Sequence, residues 1–248
     1  MKDKISLITG GGSGIGRAVA LAWAREGAQV VVSDVDQDGG EETVALVKKA
    51  GAEALFVPAD VSKFEDCEQL VRRTVDKFGR LDVACNNAGI GGPQAPTAEY
   101  AMDGWAQVIG INLSGVFYGM RFQLAAMAQN GGGSIVNMAS ILGAVGFANS
   151  CAYSAAKHGV IGLTQTAALE YSAQGIRINA VGPGFIKTPM ISSLEDDKAA
   201  NDALVAAHPI GRLGTAQEVA ELVLWLSSDK ASFVTGAYYP VDGGYLAR

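Results

Sequence analysis

Thr9-Gly10-Gly11-Gly12-Ser13-Gly14-Ile15-Gly16 is the stretch that decides the fold of this chain. It follows the apolar run Ile5 to Ile8, which predicts a buried strand, and it leads into the periodic apolar stretch Ile15 to Trp23, which predicts a helix. Glycines let the backbone approach an anion closely, and the unpaired amides and dipole of a first helical turn attract phosphate. The spacing Thr-Gly-x-x-x-Gly-x-Gly differs from the strict G-x-G-x-x-G fingerprint. A tight turn without a ligand is therefore the alternative interpretation.

Asp34 strengthens the interpretation of this turn as a dinucleotide site. It ends a second predicted strand, Gln29 to Ser33, and lies about 20 residues after Gly14. An acidic side chain at that offset can accept hydrogen bonds from the ribose hydroxyls of an adenine dinucleotide. The acidic and glycine residues that follow leave a simple turn role open for Asp34.

Composition sets the class of protein. The chain has 248 residues, of which 49% are hydrophobic and 18% charged, with 32 glycines, and it contains no linker or repeat. These features predict a single domain, 1–248. The net charge of −6 argues against nucleic-acid binding. With only two histidines and three widely spaced cysteines, we expect no metal site and a reducing, cytoplasmic compartment.

Targeting and membrane segments are not expected. The start, Met1 to Lys4, runs directly into the first predicted strand and leaves no room for a signal peptide. No uncharged apolar stretch of about 18 residues predicts a membrane span.

Strand and helix patterns alternate along the chain. This alternation predicts an α/β fold, a Rossmann-like, doubly wound parallel sheet with helices on both faces in three layers. Ligands of such sheets bind beyond the carboxyl ends of the strands. We therefore expect the residues that follow predicted strands to line one crevice: Asp34, Asp60, Asn87, Ser140 and Pro183. The other predicted helices are 41–50, 62–78 with Ser62 as N-cap, a long helical region over 99–130, 151–173, and 215–227 with Thr215 and Glu218 as a capping box. The other predicted strands are 54–57, 81–85, 133–138, 177–181 and 237–241.

Tyr153 and Lys157 carry the predicted chemistry. They are one turn apart on a predicted helix and share a face, and Ser140 ends the strand before that helix. A neighbouring ammonium favours the phenolate form of a tyrosine, whose unperturbed pKa is near 10. This set suits removal of a proton from an alcohol while hydride leaves its carbon. A solvent-facing pair with no catalytic role is the alternative.

On these motifs the chain resembles the short-chain dehydrogenase/reductase family, specifically its single-domain branch with the Tyr-x-x-x-Lys motif. The resemblance covers nearly the whole chain, and its motifs occur in the expected order. They are Thr9 to Gly16, Asp60-Val61, Asn86-Asn87-Ala88-Gly89, Asn112, Ser140, Tyr153 to Lys157, Pro183-Gly184 and Thr188.

The resemblance implies a role for each catalytic residue. Tyr153 would be the general acid/base, Ser140 would orient the substrate oxygen, and Lys157 would lower the pKa of Tyr153 and bind the nicotinamide ribose. Asn112 would lie in a distorted helix and hold a water that links Lys157 to solvent. A hydrogen bond between helices would explain Asn112 equally well.

The resemblance also implies a cofactor site and a preference for NAD over NADP. A carboxylate at Asp34 repels a 2′-phosphate, and the positions where NADP-dependent relatives carry basic residues hold Ser13 and Val35. The implied cofactor-binding residues are Gly10, Ser13, Gly14, Ile15, Gly16, Asp34, Asp60, Val61, Asn87, Ala88, Gly89, Tyr153, Lys157, Pro183, Gly184, Ile186 and Thr188.

Variable segments would form the substrate pocket, namely 90–93, 141–143, Phe147, Phe185 and 190–207. Their apolar character near the catalytic residues favours an uncharged, hydrophobic or cyclic secondary alcohol or ketone. Ser192, Ser193, Glu195 and Asp196 could also enter this pocket. The segment at about 188–210 is expected to be a substrate lid.

Oligomerisation and three alternative functions complete the expectations. The helices around 105–128 and 152–169 are apolar on more than one face, and relatives commonly pair these helices in homotetramers.

A 3-oxoacyl-[acyl-carrier-protein] reductase shares the fold and catalytic set but usually prefers NADP. From other classes, a non-catalytic NAD-binding sensor and a nucleotide-fold methyltransferase remain open.

Overall fold

Seven parallel strands form the central sheet of the computed structural model, which describes residues 1–192 and 197–247. The strands are β1 Ile5–Thr9, β2 Gln29–Ser33, β3 Ala54–Phe56, β4 Val83–Asn86, β5 Gly133–Met138, β6 Ile176–Pro183 and β9 Tyr238–Val241. Their order is β3-β2-β1-β4-β5-β6-β9. The strand order reverses between β1 and β4, and open α/β sheets form their ligand crevice at such a point. A separate pair joins β7 Ile186–Lys187 to β8 Gly214–Thr215.

Helices cover both faces of the sheet and enclose two hydrophobic cores. One core lies under α1, α2 and α8, and the other lies under α3, α5 and α6. The three-layer α/β fold expected from the sequence is confirmed. The helices are α1 Gly14–Arg25, α2 Gln37–Lys49, α3 Phe64–Phe78, α4 Met102–Ile109, α5 Gly115–Gln129, α6 Cys151–Tyr171, α7 Lys198–Ala206 and α8 Ala216–Ser227.

The helical region predicted over 99–130 is present, but it begins at Met102 and contains a π-helical turn. Tyr100 and Ala101 are extended, so α4 begins only at Met102. A π-helical turn, Gly110–Ser114, then separates α4 from α5. Tertiary bonding explains this turn, because Asn112 within it is fully buried and bonded to the main chain of another segment.

Local capping also differs from the sequence-based prediction at one helix and agrees at another. Helix α3 begins after Lys63, and the Ser62 hydroxyl donates to Asp60 (2.7 Å) instead of capping the helix. At α8 the predicted capping box is present, since Thr215 Oγ1 accepts from the Glu218 amide and the Glu218 carboxylate accepts from the Thr215 amide.

Helix α1 packs against α8, which lies near the other end of the sequence. The fully buried Trp23 donates from Nε1 to Ser227 Oγ at 3.2 Å, and Arg25 pairs with Glu221 at 2.8 Å. The outer layer on this face is therefore closed by residues that are distant in sequence.

Neither a membrane-spanning helix nor a metal-binding cluster is found in the described part of the chain. No helix within residues 1–192 and 197–247 has the length and apolar character needed to cross a membrane. Across the same residues, no three His, Cys, Asp or Glu side chains stand together as metal ligands would.

Candidate active site

The glycine turn between β1 and α1 leaves no room for side chains. Gly10 and Gly14 have φ of +62° and +50°, a region that favours glycine. A Cβ on Gly16 would overlap the Gly10 carbonyl oxygen, and a Cβ on Gly14 would lie 3.3 Å from Thr188 Cγ2. The turn is therefore closely packed, and the predicted residue Thr188 reaches it from the far side of the cleft.

Thr9 and Asn87 clamp the glycine turn to the segment that follows β4. Thr9 Oγ1 accepts hydrogen bonds from the amides of Asn87 (3.0 Å) and Ala88 (3.1 Å). Asn87 Nδ2 in turn donates to the carbonyls of Thr9 and Gly10, each at 3.0 Å. Thr9 is not among the site residues predicted from the sequence. Its place at the end of a strand, next to a glycine turn, could have indicated this role, because such a hydroxyl can bond to nearby main-chain groups.

Asp34 has the turn role that the sequence left open. One carboxylate oxygen accepts from the Gly12 amide at 2.8 Å, and the other accepts from the Asp36 amide at 3.0 Å. The side chain therefore closes its own turn and orients the glycine turn, and it also lines the cleft described below.

Arg17 is a cation near the cleft whose charge is already paired. It donates to the Gly12 carbonyl and forms an ion pair with Glu42. Its Nε donates to Thr43 Oγ1 at 3.0 Å. Arg17 therefore fastens α1 to α2.

A cleft of about 350 Å³ brings together most of the predicted cofactor residues. Predicted residues that line it are Gly10, Ser13, Gly14, Ile15, Asp34, Asp60, Val61, Asn87, Ala88, Gly89 and Thr188. Those outside its lining are Gly16, Tyr153, Lys157, Pro183, Gly184 and Ile186. Gly184 and Ile186 instead line a neighbouring cavity of about 290 Å³. The predicted cofactor residues do not include six others that line the cleft: Val35, Ala59, Ile90, Ile111, Pro189 and Met190. Of these, Ile90 and Met190 belong to segments predicted for the substrate pocket.

Asp60 is held as a carboxylate at the rim of this cleft. Hydrogen bonds from the Ser62 hydroxyl and amide lower the pKa of Asp60, and Lys63 adds a favourable charge. The Asp60 amide donates to Asp66 at 3.0 Å, which fixes the end of the loop.

Ser140 is positioned by three neighbours. Its Oγ accepts from the Leu142 amide at 3.2 Å and lies near enough to the Tyr153 phenol to lower the pKa of that group. Its carbonyl accepts from the Tyr238 hydroxyl at 2.9 Å. Ser140 therefore contacts the turn that follows β5, helix α6 and the edge strand β9.

Lys157 lies beside Tyr153, but burial and not this lysine determines the direction in which the pKa of Tyr153 shifts. Its Nζ is 5.5 Å from the centre of the Tyr153 ring and donates to the Met138 carbonyl at 2.7 Å. Burial lowers the pKa of Lys157, which is 3% exposed, to about 8. Burial also raises the pKa of Tyr153, while the hydrogen bond with Ser140 opposes that rise. The depressed Tyr153 pKa expected from Lys157 is therefore not seen for the protein alone.

Asn112 lies in a distorted helix, as the resemblance implied, but its bonds lead to a loop. Its Oδ1 accepts from the Ile90 amide and its Nδ2 donates to the Ile90 carbonyl, each at 2.8 Å. The alternative of a bond between helices is wrong. A Cβ on Gly89 would lie 3.1 Å from Asn112 Oδ1 and 3.6 Å from Lys157 Nζ. Gly89, which lines the cleft, therefore lies next to both Asn112 and Lys157.

The structure describes most of the segment at 188–210 that is predicted to be a substrate lid. Helix α7 lies within the segment at 188–210, and Met190 lines the cleft. Ser193, Glu195 and Asp196, which were considered for the substrate pocket, lie outside the described residues.

The cleft fits a dinucleotide phosphate. The Ser13 side chain, at the N-cap of α1, makes no capping hydrogen bond, and within the described helix no acidic residue occupies the first turn. The amides of that turn are thus left to an anionic ligand. Asp34 stands at the same cleft, where a ribose would present its hydroxyls.

Comparison with known proteins agrees with this geometry. A family model described as enoyl-(acyl carrier protein) reductase matches residues 10–246. The chain is 48% identical to cyclohexanol dehydrogenase of Acinetobacter sp. strain SE19, covering 99% of this chain and 96% of that protein. It is 46% identical to cis-4-hydroxycyclohexanecarboxylate dehydrogenase of Sinomonas cyclohexanicum, covering 99% and 97%.

Solved structures support the same family assignment, and they include one with bound NAD⁺ and one with bound NADP. The crystal structure of levodione reductase superposes with a TM-score of 0.97 at 44% identity, covering 100% of this chain and 99% of that one. Xylitol dehydrogenase with bound NAD⁺ (TM-score 0.95, 33% identity) and an NADP-bound structure from Agrobacterium tumefaciens (0.93, 34%) each match at least 98% of both chains. The chain belongs to the short-chain dehydrogenase/reductase family, whose members use NAD or NADP to interconvert alcohols and carbonyl compounds.

Proposed function

We propose that this protein is an NAD-dependent dehydrogenase that interconverts an uncharged cyclic secondary alcohol and its ketone. The observation that carries the proposal is the grouping of three side chains: the Ser140 hydroxyl lies next to the Tyr153 phenol, and Lys157 Nζ lies 5.5 Å from the centre of the Tyr153 ring. The names of the relatives, a cyclohexanol dehydrogenase and a hydroxycyclohexanecarboxylate dehydrogenase, support a ring-shaped substrate.

Tyr153 holds the proton that is exchanged with the substrate oxygen. When bound, the nicotinamide supplies or accepts the hydride. Ser140 and Tyr153 present two hydroxyls to one substrate oxygen, which orients it and stabilises charge that develops on it. At neutral pH, where its amine is still mostly protonated, Lys157 contributes a buried positive charge next to the phenol. Asn112 secures Ile90 at the mouth of the site, and a water held there would complete a proton path from Lys157.

The titration of Tyr153 sets an expected pH dependence. Because burial raises its pKa, the protonated phenol predominates at neutral pH, and this form donates a proton during ketone reduction. Alcohol oxidation needs the phenolate. We expect kcat/KM for oxidation to rise as pH increases above neutrality and kcat/KM for reduction to fall, as measured over the same pH series. Parallel profiles in the two directions would contradict this assignment.

NAD is the proposed cofactor, with NADP disfavoured. The carboxylate of Asp34 is fixed by two amides and would face a 2′-phosphate with like charge. Arg17, the cation that might offset this repulsion, is committed to Glu42 and Gly12. We expect kcat/KM to favour NAD by at least about tenfold, equivalent to about 1.4 kcal/mol.

The proposed substrate pocket is apolar and is covered by a lid. Leu142 is buried beside Ser140, and the rings of Phe147 and Phe185 lie 6.0 Å apart across the loops that follow β5 and β6. Helix α7 and the residues around it, 188–210, would close over this side. The chain 1–248 would act as one domain that binds the cofactor and performs catalysis.

A homotetramer in the cytoplasm is the proposed state of the protein. Large apolar side chains are exposed on α4, α5 and α6, where Trp105, Phe117 and Leu169 are 38%, 45% and 88% exposed. The three cysteines are free thiols, which suits a reducing compartment. Light scattering that gives a monomeric mass would contradict the tetramer.

The proposal is tested by turnover of cyclohexanol with NAD⁺ and of cyclohexanone with NADH, beside open-chain alcohols and an acetoacetyl thioester. Tyr153→Phe is the control and should lower kcat/KM at least about 1000-fold while leaving NAD⁺ binding within about threefold. Preference for the thioester would favour the acyl-carrier-protein reductase. NAD⁺ binding with no turnover of any substrate would favour the non-catalytic sensor. Membership of the family already makes the methyltransferase alternative wrong.

A further inference from the structure

His208 is a buried histidine that joins two segments of the substrate side. It is 3% exposed and follows the last turn of α7 directly. Its Nδ1 lies 2.7 Å from the Leu204 carbonyl in that turn. Its Nε2 lies 3.2 Å from the amide of Phe185, in the loop that leads from β6 to β7.

The two partners of His208 fix its tautomer. The Phe185 amide can only donate, so Nε2 must accept and carries no proton. The Leu204 carbonyl can only accept, so Nδ1 carries the proton and donates it. The neutral ring therefore satisfies both segments at once, and both of its nitrogens are used.

Aromatic packing holds the ring in this orientation. Phe185 meets His208 edge-on at 5.9 Å between ring centres, and Tyr245 lies 5.5 Å away. A Cβ on Gly184 would lie only 2.8 Å from His208 Nε2, so the glycine permits the close approach.

Helix α7 is less buried than His208. None of the described residues Lys198–Ala206 is buried, although the helix carries its own N-cap through Asp197. A helix without a buried face gains little from packing. Its C-terminal end, by contrast, is attached through His208 to the loop that carries Phe185.

The cavity beside His208 does not compete with this interpretation. Its charged groups are already engaged: Arg212 pairs with Glu218 at 2.6 Å, and the carboxylate of Asp242 accepts from the amides of Gly244 (3.0 Å) and Leu246 (2.9 Å). These charged side chains are therefore already bonded within the protein.

We propose that His208 is a positioning residue that ties the lid helix α7 to Phe185 and so holds the substrate side closed. This inference rests on the proposed function for the meaning of the closed state, but the attachment itself is a property of the fold. Losing it should free α7 and weaken substrate binding, and leave the proton chemistry at Tyr153 unchanged.

The test compares single and double loss of the two bonds. His208→Gln can still offer an acceptor near Nε2, His208→Asn can still offer a donor near Nδ1, and His208→Phe keeps the ring but neither bond. Amide hydrogen exchange of Lys198–Ala206 should accelerate about fivefold in each of the first two variants and about 20-fold or more in His208→Phe. The other histidine of the chain, the exposed His158, provides the control: His158→Gln should leave exchange of α7 unchanged.

A kinetic split separates positioning from a general loss of structure. With cyclohexanol and NAD⁺, KM for the alcohol should rise at least about fivefold in His208→Phe while kcat stays within about twofold, with partial rescue in His208→Gln. If His208→Phe does not fold, His208→Asn and His208→Gln decide by the same readouts. Unchanged exchange of α7 in folded variants would overturn the proposal. An enzyme inactive on every alcohol would sink the proposed function and leave the exchange result standing.

Discussion

The proposed nucleotide end and the proposed substrate end of this site are held together in different ways. At the nucleotide end, Asn87 and Asp34 bond to main-chain groups of the glycine turn, and Thr9 accepts from the amides that follow β4, so the shape depends on the backbone itself. At the substrate end, rings of Phe147, Phe185 and their neighbours meet across loops, and α7 has no buried residue. We therefore expect the nucleotide end to tolerate very few substitutions. At the substrate end, side chains can vary around the fixed residues proposed for catalysis.

The strongest test of the rigid end is Gly16→Ala. The added Cβ would overlap the Gly10 carbonyl, so α1 or the turn must move. We expect the free energy of unfolding to fall by about 3 kcal/mol or more and NAD⁺ affinity to fall at least about 100-fold. Denaturant unfolding and fluorescence titration measure the two effects.

Gly162→Ala is the matched control for that substitution. A Cβ on Gly162, which lies within α6, would meet no atom within 4 Å, so helix propensity should make this change neutral or stabilising by up to about 1 kcal/mol. Equal losses of NAD⁺ binding in both variants would mean that the glycine turn is not the binding element.

Lys157→Met tests the junction between the two ends. The pKa of Lys157 is about 8 in the folded protein and about 10.4 in an unfolded chain. Between these values the unfolded state binds more protons, so wild-type stability should rise with pH by up to about 3 kcal/mol. Below about pH 8 this contribution is constant, and Lys157→Met should lack the rise altogether.

The stability difference between wild type and Lys157→Met isolates this lysine. Burial raises the pKa of Tyr238 to about 12, and Tyr153 also titrates high, so both oppose the rise at alkaline pH. These contributions occur in both proteins and cancel. A flat difference between pH 8 and 10 in chemical unfolding would show that the ammonium is not buried as described.

Asp34→Asn separates charge from structure at the nucleotide end. An amide oxygen can still accept from the Gly12 amide, so the turn should survive, whereas Asp34→Ala would remove both bonds together with the charge. We expect the preference for NAD to fall from at least about tenfold to about threefold or less, mainly through better use of NADP. An unchanged ratio of kcat/KM values for the two cofactors would contradict the role of Asp34.

Phe147→Leu tests the tolerant end and should have the smallest effect. Phe147 is 39% exposed and contacts Phe185 through its ring, so its loss should cost stability only about 0.5–1 kcal/mol. We expect selectivity between cyclohexanol and open-chain alcohols to change about threefold, with NAD⁺ binding unaltered. A loss of NAD⁺ binding would mean that the two ends are not separable.

The same contrast explains what the sequence could predict. The parallel sheet, the glycine turn, Asp34 and the pairing of Tyr153 with Lys157 depend on short-range patterns, and the structure contains all of them. The π-helical turn at Asn112 depends on a partner 22 residues away, and the role of His208 depends on Phe185, 23 residues away. No local periodicity records such a bond. The raised pKa of Tyr153 likewise follows from burial, which only the folded chain defines.

The contact between α1 and α8 has a consequence for how the chain folds as it is made. Trp23 and Ser227 are 204 residues apart, so the first strand–helix unit leaves the ribosome long before the helix that covers it. Until then, the apolar outer side of α1 is open to water and to other nascent chains. Contacts of such long range slow folding and prolong exposure to aggregation. Truncation before α8 should therefore yield a chaperone-bound or insoluble product, even though it keeps every residue of the glycine turn.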